Sequence, residues 1–91
     1  MDIKNLYEKN FSSLRKTVFY NLVKTQDEGE DSFGIQIVTK TENYEEKEII
    51  KDISQKEDFV KKMIKYLYEN AVDTTHFKDV VEDYILKMER I

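Results

Sequence analysis

The stretch Lys16–Lys40, which reads KTVFYNLVKTQDEGEDSFGIQIVTK, decides the fold. Its two ends, 16–24 and 32–40, are rich in β-branched and aromatic residues and alternate with a period of two, which predicts two strands. The polar stretch 25–31 between them contains one glycine and predicts a hairpin loop. We expect the second strand to bury Phe33, Ile35 and Ile37. The first buries either one face, Val18, Tyr20 and Leu22, or the opposite one, Phe19, Asn21 and Val23.

The same period continues on both sides of this hairpin. Residues 46–53 form a further strand in which Ile49 and Ile53 share one face, and the loop 41–45 closes a second hairpin. Upstream, residues 5–12 supply one more strand. The chain therefore predicts an antiparallel meander of three to four strands.

After this meander the apolar period changes to about 3.6, which is typical of helices. Ser54 and Glu57 form a predicted capping box, in which each side chain accepts a backbone N–H of the other's turn. The first helix then has an apolar stripe at Phe59, Val60, Met63, Ile64, Leu67 and Ala71. Polar residues 70–75 interrupt the pattern, and a second stripe follows at Phe77, Val80, Val81, Tyr84, Ile85, Met88 and Ile91.

Strands followed by helices predict an α+β fold in which two amphipathic helices cover one face of the sheet. We expect the order ββββαα in a single domain, 1–91, made of a β-meander, 1–53, and a helical hairpin, 54–91. This length agrees with one domain and one modest core.

Composition excludes several kinds of site. The chain has no cysteine, two glycines and one histidine, which excludes thiolate zinc sites, cysteine nucleophiles and glycine-rich phosphate loops. His76 has Asp73 and Asp79 three residues away on either side, but zinc normally takes three or four protein ligands. We therefore predict no catalytic residue, no metal, no cofactor and no enzymatic activity.

Membranes and nucleic acids are not expected partners. No apolar run approaches 18 residues and the N-terminal MDIKNLYEKN is too polar for a signal peptide, so we expect a cytoplasmic protein. The second helix, 76–91, has three basic residues against four acidic ones, and the whole chain has a net charge of −4. Direct nucleic-acid binding is therefore not expected.

The charge is distributed unevenly along the chain. Residues 1–24 have a net charge of +3, residues 25–58 of −7, and residues 59–91 of zero. Acidic loops of this kind keep a protein soluble and protect sheet edges, and they also bind basic partners. On the second interpretation the partner-binding residues are Asp27, Glu28, Glu30, Asp31, Glu42, Glu45, Glu46 and Glu48.

Three short motifs resemble a known family. They are Phe33-Gly34-Ile35-Gln36-Ile37, Lys51-Asp52-Ile53-Ser54, and the segment 72–85 with its His76-Phe77-Lys78-Asp79 core. The pattern is similar to a small clostridial family of unknown function, domain of unknown function 6514, over nearly the whole chain. This resemblance implies no activity, because none is assigned to that family.

Charge and size together favour a small acidic interaction protein that binds and inhibits or regulates a basic, nucleic-acid-binding protein. In size and charge the chain is similar to small acidic phage inhibitors of the CRISPR machinery, a likeness of type without a shared motif. The alternative is a cytoplasmic housekeeping or stress-related protein that acts through an apolar surface as a homodimer. That dimer would cover Phe19, Val23 and Val38, with exposed tyrosines as further contacts, namely Tyr7, Tyr44, Tyr66 and Tyr68.

Overall fold

The computed structural model describes residues 1–89, and the side chains of residues 1–88. Four antiparallel strands form one sheet in the order β1-β2-β3-β4, and two helices follow, so the predicted ββββαα arrangement is confirmed. Every strand pairs with its neighbour in the chain, as in a meander. The elements are β1 (Asp2–Phe11), a short 3-10 turn (Ser12–Leu14), β2 (Lys16–Asp27), β3 (Glu30–Lys40), β4 (Glu45–Ser54), α1 (Glu57–Glu69) and α2 (Phe77–Glu89).

The core lies between one face of the sheet and the two helices. Of the two faces left open for β2, the one with Val18, Tyr20 and Leu22 packs against the helices. The buried apolar residues on the other side of the core are Val60, Met63, Ile64 and Leu67 of α1, Val72 of the linker, and Phe77 and Val81 of α2. Tyr20 is fully buried, and its hydroxyl donates a hydrogen bond of 2.8 Å to the Val72 carbonyl. This bond ties the sheet to the linker between the helices.

The predicted length of the first hairpin loop, residues 25–31, is wrong. Strands β2 and β3 continue through most of this stretch, and Asp27 pairs with Glu30. Only Glu28 and Gly29 form the turn, with φ angles of 52° and 83°. Left-handed angles at both positions are typical of the tight turns that match the twist of a hairpin. The polar residues of this stretch are therefore exposed strand ends.

A bulge in β4 changes which of its isoleucines face the core. Phe33 pairs with Ser54 and Ile35 with Ile50, so residues 51–53 all lie opposite Gly34. The predicted shared face of Ile49 and Ile53 is therefore wrong, because Ile50 and Ile53 pack against the core. Position 34 of β3 requires glycine, because a Cβ on Gly34 would overlap the Ile50 carbonyl oxygen and approach the Lys51 Cα to 2.9 Å.

The predicted capping box at Ser54 is also wrong. The Ser54 hydroxyl accepts the N–H of Lys56 at 3.0 Å, and α1 begins only at Glu57 without a side-chain cap. At the other end, Ala71 lies outside the helix with a φ of 51°. The N–H groups of Ala71 and Val72 donate to the Tyr68 and Leu67 carbonyls, which is a Schellman ending.

The polar linker forms a turn just before the second helix, which begins at Phe77. The Asp73 carboxylate accepts the N–H groups of Thr75 at 3.1 Å and His76 at 3.4 Å. Ile91, the last residue of the predicted stripe, lies outside the described residues.

Candidate functional site

The end of the β2–β3 hairpin carries one group of acidic side chains. Asp27, Glu28 and Glu30 are exposed at the two-residue turn, and Asp31 is half-buried. The β4 bulge adds Asp52, which has a φ of 54° and lines the same cleft. We call these five residues the tip acids. They surround an open cleft of about 520 Å³ lined by Thr25, Asp27, Glu28, Glu30, Asp31, Ser32, Lys51, Asp52 and Gln55.

Short hydrogen bonds fix β4 and its continuation against the hairpin. The Thr25 hydroxyl donates to Asp52 Oδ1 at 2.7 Å, and the Gln55 amide donates to Glu30 Oε2 at 3.0 Å. Both donors are neutral, so they hold the carboxylates in place without neutralising them. The tip cleft is therefore built from two separate parts of the chain.

Most of the tip acids have no ion-pair partner among the described side chains. Among the described side chains, their one ion pair joins Lys24 Nζ to Asp31 Oδ2 at 3.5 Å. Asp31 Oδ1 is buried and accepts no hydrogen bond from the described residues. Lys51 also lines the cleft, so two lysines, Lys24 and Lys51, lie near the five carboxylates.

The remaining predicted acids lie at the opposite end of the sheet, around the β3–β4 turn. We call Glu42, Glu45, Glu46 and Glu48 the far acids. Three of them form ion pairs, with Arg15 at 3.1 Å, Lys40 at 3.7 Å and Lys78 at 3.4 Å. The fourth, Glu46, accepts the Thr74 hydroxyl at 2.9 Å. Each far acid therefore has a partner within the chain.

The structure thus divides the eight predicted residues into two groups. Along β3 the partners of Glu48, Glu46 and Glu45 are Ile37, Thr39 and Lys40, which lie seven to ten residues from Glu30, or about 23–33 Å at the usual rise of a strand. Asp27, Glu28, Glu30 and Asp31 lie together at one end of the sheet, and the far acids lie towards its other end. Asp52 was missed by the sequence analysis, since no local pattern marks the bulge that positions it.

The remaining candidate residues have structural contacts. The Asp73 carboxylate accepts two N–H groups of the turn before α2 and lies 3.6 Å from Lys16 Nζ, and His76 is exposed in that turn. Within the described part of the chain, no group of three or more histidine, aspartate or glutamate side chains is arranged to hold a metal ion. No helix formed by these residues is both long and apolar enough to cross a membrane.

Comparison with known proteins adds a family and no activity. No curated protein and no solved structure matches the chain. A family model described as a family of unknown function, DUF6514, matches residues 4–87, which is nearly the whole chain. The chain therefore belongs to the DUF6514 family.

Proposed function

We propose that this protein is a small non-enzymatic interaction protein that binds a basic segment of another protein in the tip cleft. By occupying a surface that otherwise contacts phosphate, it would inhibit or regulate a nucleic-acid-binding protein. The observation that carries this proposal is the unequal neutralisation of the two acidic ends. Three of the four far acids form ion pairs, whereas only one of the five tip acids, Asp31, does so among the described side chains.

The geometry of the tip supports a protein segment with several basic side chains. The cleft is open and bordered by carboxylates on both the hairpin and the β4 bulge, so a bound arginine or lysine can approach from solvent. A pair of opposite charges at about 4 Å contributes about 1 kcal/mol in water. Three such contacts give about 3 kcal/mol, so a short basic peptide binds weakly and only at low salt.

Charge reversal at the two ends tests the proposal with a matched control. The tip variant D27K/E28K/E30K and the far variant E42K/E45K/E48K both change the net charge from −4 to +2. Binding of a labelled arginine-rich peptide is measured by fluorescence anisotropy at low salt. We expect the tip variant to lose binding and the far variant to retain a larger part of it.

Equal losses in the two variants would show that only net charge matters, which contradicts a site at the tip. Absence of binding by the unmodified protein at tens of millimolar peptide and low salt also contradicts the proposal. The reversed side chains are exposed or only half-buried, so we expect both variants to fold. Circular dichroism of all three proteins checks this.

A further inference from the structure

The face of the sheet turned away from the helices has two ordered rows of side chains. One is a row of amides, in which Asn5 Nδ2 donates to Asn21 Oδ1 at 2.8 Å and Asn21 Nδ2 donates to Gln36 Oε1 at 3.0 Å. The other, which we call the charged row, is formed by directly paired residues of the four strands: Glu8, Phe19, Val38 and Lys47. Directly paired residues share one face of a sheet, so this row crosses the whole open face.

The charged row has opposite charges at its two ends and an apolar centre. Glu8 on β1 and Lys47 on β4 are both exposed, and neither forms an ion pair with any of the described side chains. Phe19 is half-buried between them, and Lys40 Nζ lies 5.3 Å from the centre of its ring. A shallow groove of about 260 Å³ passes over this centre.

We propose that this face binds a second copy of the same chain. A two-fold axis parallel to the strands lays β1 of one copy over β4 of the other. It brings Glu8 of each copy opposite Lys47 of the second copy, and Phe19 opposite Val38. Two identical ion pairs then flank one apolar centre, as a symmetric interface requires. An axis perpendicular to the strands places β1 over β1 and loses both pairs.

The available area predicts a weak dimer. Four strands spaced about 4.8 Å apart and about 33 Å long present about 600 Å² per copy. The total of about 1,200 Å² is at the lower limit for specific interfaces. Val23 and Val38 are already buried within each copy, so the apolar contribution is small. We therefore expect a dissociation constant in the range of tens to hundreds of micromolar, with the charge pairs selecting the arrangement.

A charge exchange tests this arrangement. Sedimentation velocity is measured from 10 µM to 1 mM on the unmodified protein, on E8K, on K47E and on an equal mixture of the two variants. We expect the unmodified protein to dimerise and each variant alone to dimerise at least tenfold more weakly, because like charges then face each other. The mixture should form a heterodimer, because each of its two charge contacts again joins one lysine to one glutamate. The control E82K reverses an exposed charge on α2 and should dimerise like the unmodified protein.

Several results would overturn the proposal. The first is an unmodified protein that stays monomeric at 1 mM. The second is dimerisation of E8K or K47E as strong as that of the unmodified protein, which would place the contact on another surface. The third is a mixture that stays monomeric although both variants show the circular dichroism spectrum of the folded protein.

Discussion

Gly34 is the position where a single added methyl group should disturb both the sheet and the acidic tip. A Cβ at this position meets the Ile50 carbonyl oxygen and lies 2.9 Å from the Lys51 Cα, and both atoms belong to the backbone of β4. Backbone atoms cannot move aside as a flexible side chain does, so the bulge that carries Asp52 must shift. Overpacking of this kind costs about 1–3 kcal/mol and occasionally more.

Gly29 provides the matched control for Gly34→Ala. A Cβ at Gly29 has no atom within 4 Å, so Gly29→Ala carries only the strain of its φ of 83°, about 1 kcal/mol. We expect Gly34→Ala to lower the free energy of unfolding by about 3 kcal/mol, measured by urea denaturation followed by circular dichroism. A loss that is no larger than that of Gly29→Ala would refute the close passage of β4 over Gly34.

Two substitutions and the pH dependence of one of them test the core and the end of α1. Tyr20→Phe should lower the free energy of unfolding by about 1–2 kcal/mol, because it leaves the buried Val72 carbonyl without its donor. Burial, with a smaller effect of Asp73, raises the pKa of Tyr20 from 10.0 to about 12. As the pH rises, the Tyr20 hydroxyl therefore ionises in the unfolded chain before it does so in the folded one. The difference in unfolding free energy between the unmodified protein and Tyr20→Phe should then be constant below pH 10 and decrease between pH 10 and 12. A difference that stays constant up to pH 12 contradicts this. Ala71→Gly should raise the melting temperature, corresponding to a gain of about 0.5–1 kcal/mol, because it relieves a left-handed φ at the end of α1; an unchanged or lower melting temperature contradicts this.

The number and order of the elements could be predicted because each buries one apolar face with its own period. Polarity alone could not separate an exposed strand end from a loop, so residues 25–31 were predicted as a loop although they pair up to Asp27 and Glu30. The face of Ile49 was predicted wrongly for a related reason. Alternation assumes a regular strand, and the bulge after Ile50 reverses it.

The acidic tip could be predicted only in part. Four of its residues are close in sequence, and a hairpin brings them together whatever the length of its turn. Asp52 reaches them through the β4 bulge, and three of the four far acids form ion pairs with residues as distant in sequence as Arg15 and Lys78. Contacts of this kind depend on the tertiary structure, so the charge distribution along the chain could not reveal which acids form ion pairs.

The central claim is that a basic segment binds at the tip of the β2–β3 hairpin. Backbone amide chemical shifts of the isotope-labelled protein, followed by NMR during titration with an arginine-rich peptide, test it most directly. We expect the largest shifts at residues 25–32 and 51–55 and small shifts at residues 42–48. Shifts that are largest at residues 42–48, or spread evenly over all acidic residues, would contradict it.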